Sequence, residues 1–181
     1  MSTGTIPPGR SPTRPFEDAV VDGHALALNP VARTTLAKWL AMVAKGDFRD
    51  LPSIIAVDAV YHSPVEWHPY PGRDLVCLLV RTAAGVFETF EYHRIFGRGD
   101  DAVLEFSAHV GDIELKAVHI LNFNGAGEIV DIDLIARPAK GVMALGNGVA
   151  AKAGPQIKAA LAAAEVRHAA TGPYPSEWGR S

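Results

Sequence analysis

Between Ile113 and Phe123 the chain alternates with a period of two. Ile113, Leu115, Ala117, Leu121 and Phe123 share one side with His119, while Glu114, Lys116 and Asn122 take the other. That period is a strand with one apolar face, since successive side chains point to opposite sides of a sheet. The same reading predicts four strands, at about 87–96, 102–110, 112–123 and 128–137. Gly97-Arg-Gly-Asp-Asp101 separates the first two, and Gly111-Asp112 gives a tight reversal between the next two. Asn124-Gly-Ala-Gly127 supplies hairpin turn chemistry between the last two. Successive hairpins build an antiparallel sheet.

Before residue 87 the apolar period is helical. Asn29-Pro30 predicts a helix start, with the Asn side chain accepting an orphan amide and Pro at the first helical position. Leu36, Trp39, Leu40 and Val43 fall on one face, and Gly46 ends the helix. A short helix is expected near 49–56, an extended segment over 57–65, and a proline-rich loop at Trp67 to Gly72. Residues 73–86 fit a helix with Leu75, Leu78, Leu79 and Ala83 on one face. Residues 17–28 fit no single pattern. The Ala-rich tail predicts helix in two pieces, broken at Gly154-Pro155. Helices first and strands afterwards give an α+β domain.

Composition narrows the function classes. The formal net charge of −3 comes without any Lys/Arg cluster, which argues against a nucleic-acid surface. No apolar run reaches membrane-spanning length, so no membrane association is expected. The N-terminal residues 1–16 hold four prolines and no periodic apolar face, which predicts a mobile arm and no signal peptide. One cysteine, Cys77, cannot form a disulfide framework or a cysteine metal cluster, and it fits a cytoplasmic protein. No phosphate-cradling glycine loop is present, and no cofactor is expected.

Among residues able to carry chemistry, His119 stands out. An imidazole on an apolar inward face is a pocket donor or a general acid/base. The alternative is a buried histidine satisfied by a neighbour. Tyr61 and Ser63 share a face of the 57–65 segment, with His62 opposite. Tyr61 is a candidate donor to a ligand oxygen, or a packed aromatic. Trp39 reads as pocket wall or core. Phe106, Leu115, Ala117, Ile132 and Leu134 fall on inward faces and complete the expected pocket. Glu105 and His109 should face outward. Tyr92 and His93 lie on opposite faces, with the inner one undecided. Asp131 and Asp133 alternate with Val130, Ile132 and Leu134, fall on the outer face, and have no supporting metal motif, so no metal site is expected.

Three stretches carry a resemblance: Trp39-Leu-Ala-Met-Val-Ala-Lys-Gly-Asp47, Asp58-Ala-Val-Tyr-His-Ser-Pro-Val65, and Val118-His-Ile-Leu-Asn-Phe-Asn-Gly-Ala-Gly-Glu-Ile129, followed by Arg137-Pro138. In this order and spacing the chain, over about 30–145, resembles the nuclear transport factor 2-like superfamily, particularly its SnoaL-like members. The resemblance implies a cone-shaped domain with a strongly bent, mainly antiparallel sheet packed on N-terminal helices, and frequent dimerisation. The organisation expected is an arm at 1–16, a SnoaL-like domain at 17–145 and a helical extension at 146–181. The superfamily holds isomerases, cyclases, epoxide hydrolases, dehydratases and transport factors, so the fold does not choose a function. In the related ketosteroid isomerase, local matching puts Trp39 at a tyrosine, Ser63 at the aspartate base and His119 at the acid. None of those residue types is retained, which argues against that isomerase chemistry. The expectation is a pocket for a small apolar oxygenated molecule, acted on or only bound, in a homodimer formed through the sheet. Val118, Ile120 and Ile135 on the outer face motivate the dimer, since a sheet facing water is more polar there.

Overall fold

The structure is a computed structural model that describes residues 27–171, with side chains to Ala164. The arm predicted at 1–16 lies outside the described residues. Among the described residues seven strands form one mixed sheet: β1 Ala27–Leu28, β2 Ile55–His62, β3 Tyr70–Pro71, β4 Thr89–Gly99, β5 Asp101–Val110, β6 Ile113–Phe123 and β7 Ile129–Arg137. Their order is β1-β4-β5-β6-β7-β2-β3. The four predicted strands are β4 to β7, paired antiparallel in sequence. The edges add parallel pairs, β1 with β4 and β2 with β7. Helices α1 Pro30–Lys45, α2 Arg73–Ala84 and α3 Ala139–Thr171 complete an α+β fold.

Two turns have two residues. Gly99-Asp100 joins Arg98 to Asp101, and Gly111-Asp112 joins Val110 to Ile113. Gly99 and Gly111 both have φ near +60°, the left-handed region that glycine reaches without strain. Irregular register bends the sheet. In β4, Tyr92 pairs with Phe106 and Arg94 with Glu105, so His93 is an extra residue. Another shift lies between Asn122 and Phe123 of β6, and a third between Ile55 and Val60 of β2.

Helix α1 lies against the concave face through Leu36 and Trp39, both buried. Gly46 closes it in the left-handed conformation, as predicted. Asn29 precedes it without a side-chain cap; its amide donates instead to Asp100 across the β4–β5 turn at 2.7 Å. The short helix expected near 49–56 is a single 3-10 turn, Leu51–Ser53. Ile54 and Ile55 are fully buried; Ile54 still closes the turn, and pairing with β7 draws the chain into extended backbone from Ile55 onward.

The C-terminal helix corrects a second expectation. α3 runs unbroken from Ala139 to Thr171 with Pro155 inside it. Proline restricts its predecessor chiefly through clashes that involve that residue's Cβ. Gly154 has none, so that part of the clash is absent, while Pro155 still forgoes its backbone bond and crowds the carbonyl one turn back. Two other glycines set the helix close to the body. A Cβ at Gly141 would lie 2.8 Å from Leu115 Cβ, and one at Gly148 would lie 2.7 Å from a Val86 methyl. Leu145 is part of the core, and Ile157 and Leu161 pack against it.

Candidate functional site

Strand β6 places His119 between Leu104 of β5 and Leu134 of β7, on the concave face. Phe106 stacks on its ring with centroids 4.7 Å apart, and Trp39 meets it edge-on at 5.7 Å. Tyr92 is the inner residue of the Tyr92-His93 pair and completes an aromatic enclosure. Trp39 and Phe106 are sealed, whereas His119 and Tyr92 are only half-buried and keep accessible surface.

The hydrogen bonds limit where protons can sit. Trp39 Nε1–H can only donate, and it donates to the Tyr92 hydroxyl at 2.9 Å. That hydroxyl lies 3.3 Å from His119 Nδ1. Were Nδ1 protonated, Tyr92 would receive two donors and its own hydrogen would need a third partner. Among the described residues the hydroxyl makes no third hydrogen bond. With Tyr92 donating to Nδ1, the arrangement in which every described group pairs, the ring proton of neutral His119 is on Nε2. No described residue hydrogen-bonds Nε2. Burial pushes the imidazole down from 6.5 to about 4, overriding the aromatic faces that would favour a cation. Burial also raises the Tyr92 phenol, which keeps it a donor. The arrangement presents an uncharged N–H donor inside an apolar shell.

The residues expected to form one pocket separate into three groups. Trp39, Phe106 and His119 come together with Tyr92. Leu115, Ala117, Ile132 and Leu134 face inward and are close-packed core, each at most 4% exposed. Tyr61 and Ser63 line a different space, a cavity of about 1060 Å³ between α2, α3 and residues 63–71. Ile132 pairs with Tyr61 and Leu134 with His119, so the sealed strand β7 lies between the cavity and the imidazole. Ser63 accepts only a local bond, from the Val65 amide at 3.2 Å.

The outer face holds the remaining candidates. Glu105 points outward, yet its side chain is only 7% exposed, because Arg94 and Lys116 cover it from both neighbouring strands. Those two cations hold its carboxyl down at about 2. His93 bonds Ser107 and His109 bonds Thr89, each at 2.7 Å. His62 meets Asp131 at 3.0 Å. Burial raises the Asp131 carboxyl, against the lowering influence of His62. Among the described residues no three His, Cys, Asp or Glu side chains converge as a metal site would require, and no described helix is long and apolar enough to cross a membrane.

The model of the SnoaL-like domain family matches residues 36–132, more than half of the chain. The chain belongs to the SnoaL-like family. A steroid delta-isomerase from Pseudomonas aeruginosa is 38% identical to this SnoaL-like protein, with a TM-score of 0.69 over 76% of this chain and 99% of that one. An uncharacterised protein with a cystatin-like fold from Silicibacter pomeroyi is 34% identical, with a TM-score of 0.63 over 66% of this chain and 84% of that one. A nuclear transport factor 2-like protein of unknown function from Mesorhizobium loti shares the fold at 18% identity and a TM-score of 0.56, over 62% of this chain and all of that one. No curated protein matches the chain.

Proposed function

We propose that this SnoaL-like protein binds an uncharged, apolar small molecule through an acceptor oxygen, at His119. The observation that carries the reading is the Trp39–Tyr92–His119 chain, which leaves one N–H donor unused in a ring of aromatic side chains. A donor among aromatic side chains that offer it no acceptor favours the oxygen of a carbonyl or epoxide. The likeness to a protein described as a steroid delta-isomerase supports a polycyclic ketone as the ligand class. Proton shuttling by a carboxylate is not part of the reading. The carboxylates of β4 to β7 fall on the outer face, and Ser63 has no basic group. Polarising the bound carbonyl is the chemistry His119 performs by itself.

Thermal unfolding with 2-decalone and with a steroid enone tests this. A ligand of the folded state raises Tm by mass action. The reading expects a concentration-dependent rise in wild type that is absent in His119→Leu. Equal rises in both proteins would refute it.

We further propose a cytoplasmic homodimer through the outer sheet face. Phe96 and Ile135 are 51% and 54% exposed there, beside Val118 and Ile120. An exposed apolar patch on a sheet favours a partner surface. Sedimentation at micromolar concentration should give twice the chain mass, and Ile135→Lys should give monomer. A monomeric wild type would contradict the dimer.

A further inference from the structure

We propose that Tyr92 is a positioning residue that, acting through His119, makes this site favour a carbonyl compound over the corresponding alcohol, a preference that rests on His119 being the ligand's donor. The phenol ring is held in place. An extra residue in β4, His93, lets Tyr92 and Ile95 both face inward. Phe90 and Phe106 meet the Tyr92 ring edge-on, with centroids 4.9 and 6.0 Å away. The hydroxyl oxygen receives the Trp39 indole N–H at 2.9 Å and lies 3.3 Å from His119 Nδ1. With the rings packed in this way, the hydroxyl hydrogen is the part free to turn.

Burial keeps the imidazole uncharged at neutral pH, so one ring nitrogen carries a proton and the other accepts. Two arrangements follow. In the first, Tyr92 donates to Nδ1, Nε2–H is free, and the matching ligand atom is an acceptor. In the second, Nδ1–H donates to the phenol oxygen and Nε2 is a bare acceptor. The Tyr92 hydrogen then has no acceptor among the described residues. A ketone bound to the first arrangement leaves no hydrogen unpaired. An alcohol leaves one unpaired in either case: its own in the first, that of Tyr92 in the second. An unmade hydrogen bond weakens binding, so the ketone is preferred. Without the Tyr92 hydroxyl, ketone and alcohol each leave Nδ1 unpaired, and the preference shrinks.

The probes are 2-decalone and 2-decalol, which share one carbon frame, titrated calorimetrically into the full chain. The quantity read is the ratio of their dissociation constants, compared between wild type and Tyr92→Phe, because intrinsic differences between the two ligands cancel in that comparison. The ratio should fall about fivefold in the variant, the worth of one hydrogen bond. Imidazole ¹⁵N spectra at pH 7, which need no ligand, should show the His119 proton on Nε2 in wild type. In Tyr92→Phe the Nδ1 resonance should move as its donor is lost. A purely structural role for Tyr92 would weaken both ligands equally. Matched circular dichroism spectra identify variants that fold. Should Tyr92→Phe unfold because the Trp39 indole loses its acceptor, the double variant Trp39→Phe/Tyr92→Phe removes both partners and should show the same fall in ratio. A proton on Nδ1 in wild type would overturn the proposal. Tight 2-decalone binding with the same ratio in both proteins would overturn it while leaving the reading of His119 intact. No 2-decalone binding to wild type would overturn both.

Discussion

His119 and Glu105 are close neighbours on opposite faces of the same two strands, and both have depressed pKa values for different reasons. On the inner face burial alone drives His119 down to about 4, with no counter-charge beside it. On the outer face Arg94 and Lys116 hold Glu105 down at about 2. One face excludes charge and keeps a neutral donor. The other collects charge and neutralises it in pairs. An apolar face leaves one hydrogen bond few competing acceptors, whereas salt screens a paired carboxylate. The physical case for recognising an uncharged ligand therefore lies on the inner face.

The largest expected effect comes from breaking the inner face. Phe106→Ala deletes a fully buried ring that stacks on His119, and should cost about 3–5 kcal/mol in urea unfolding. A loss below about 1 kcal/mol would mean the aromatic enclosure is loosely packed.

The second effect separates the two faces by pH. For His119 the folded pKa lies below the unfolded one, so the neutral form stabilises the fold. That stability is fully present above pH 6.5 and is lost as pH falls towards 4. The fall should amount to no more than about 3 kcal/mol, at 1.36 kcal/mol for each pKa unit. Unfolding free energies measured between pH 7 and pH 4 should show this slope in wild type and a shallower one in His119→Leu. Parallel profiles would place a charged or solvated imidazole at residue 119.

The smallest effect belongs to the outer face. Glu105 contributes stability above its unfolded pKa, near 4.5, and loses it as pH falls through about 2. Glu105→Gln should therefore lower Tm slightly at neutral pH and flatten the profile only below pH 4.5. Added salt should shrink the difference, because Arg94 and Lys116 are themselves well exposed.

The sequence exposes some of this and hides the rest, for local physical reasons. Period-two alternation in β5 and β6 puts Phe106, Leu115, Ala117 and His119 inward, because the two strands stay in regular register from the Asp101–Asn122 pair to the Val110–Ile113 pair. Alternation fails in β4. The extra residue at His93 puts both Tyr92 and Ile95 on the inner side, three positions apart. Tyr92, which orients His119, is invisible to a rule that assumes strict alternation. The fold class is legible because turn glycines and helix ends are local signals. The division of the expected pocket is not local. It follows from how closely α3 docks, through Gly141 and Gly148, and from side chains of β7 that seal the space between Tyr61 and His119. The unbroken α3 shows the same limit: a proline rule reads Pro155 as a break, and the missing Cβ of Gly154 removes much of the clash behind that rule.

The central claim is that His119 offers an uncharged donor to the oxygen of a bound apolar ligand. The carbonyl stretching band of 2-decalone, measured by infrared difference spectroscopy with the ketone bound to wild type and to His119→Leu, tests it most directly. The account predicts a band at lower frequency in wild type, as hydrogen bonding polarises the carbonyl, and its return towards the value in apolar solvent in the variant. The same frequency in both proteins would contradict it.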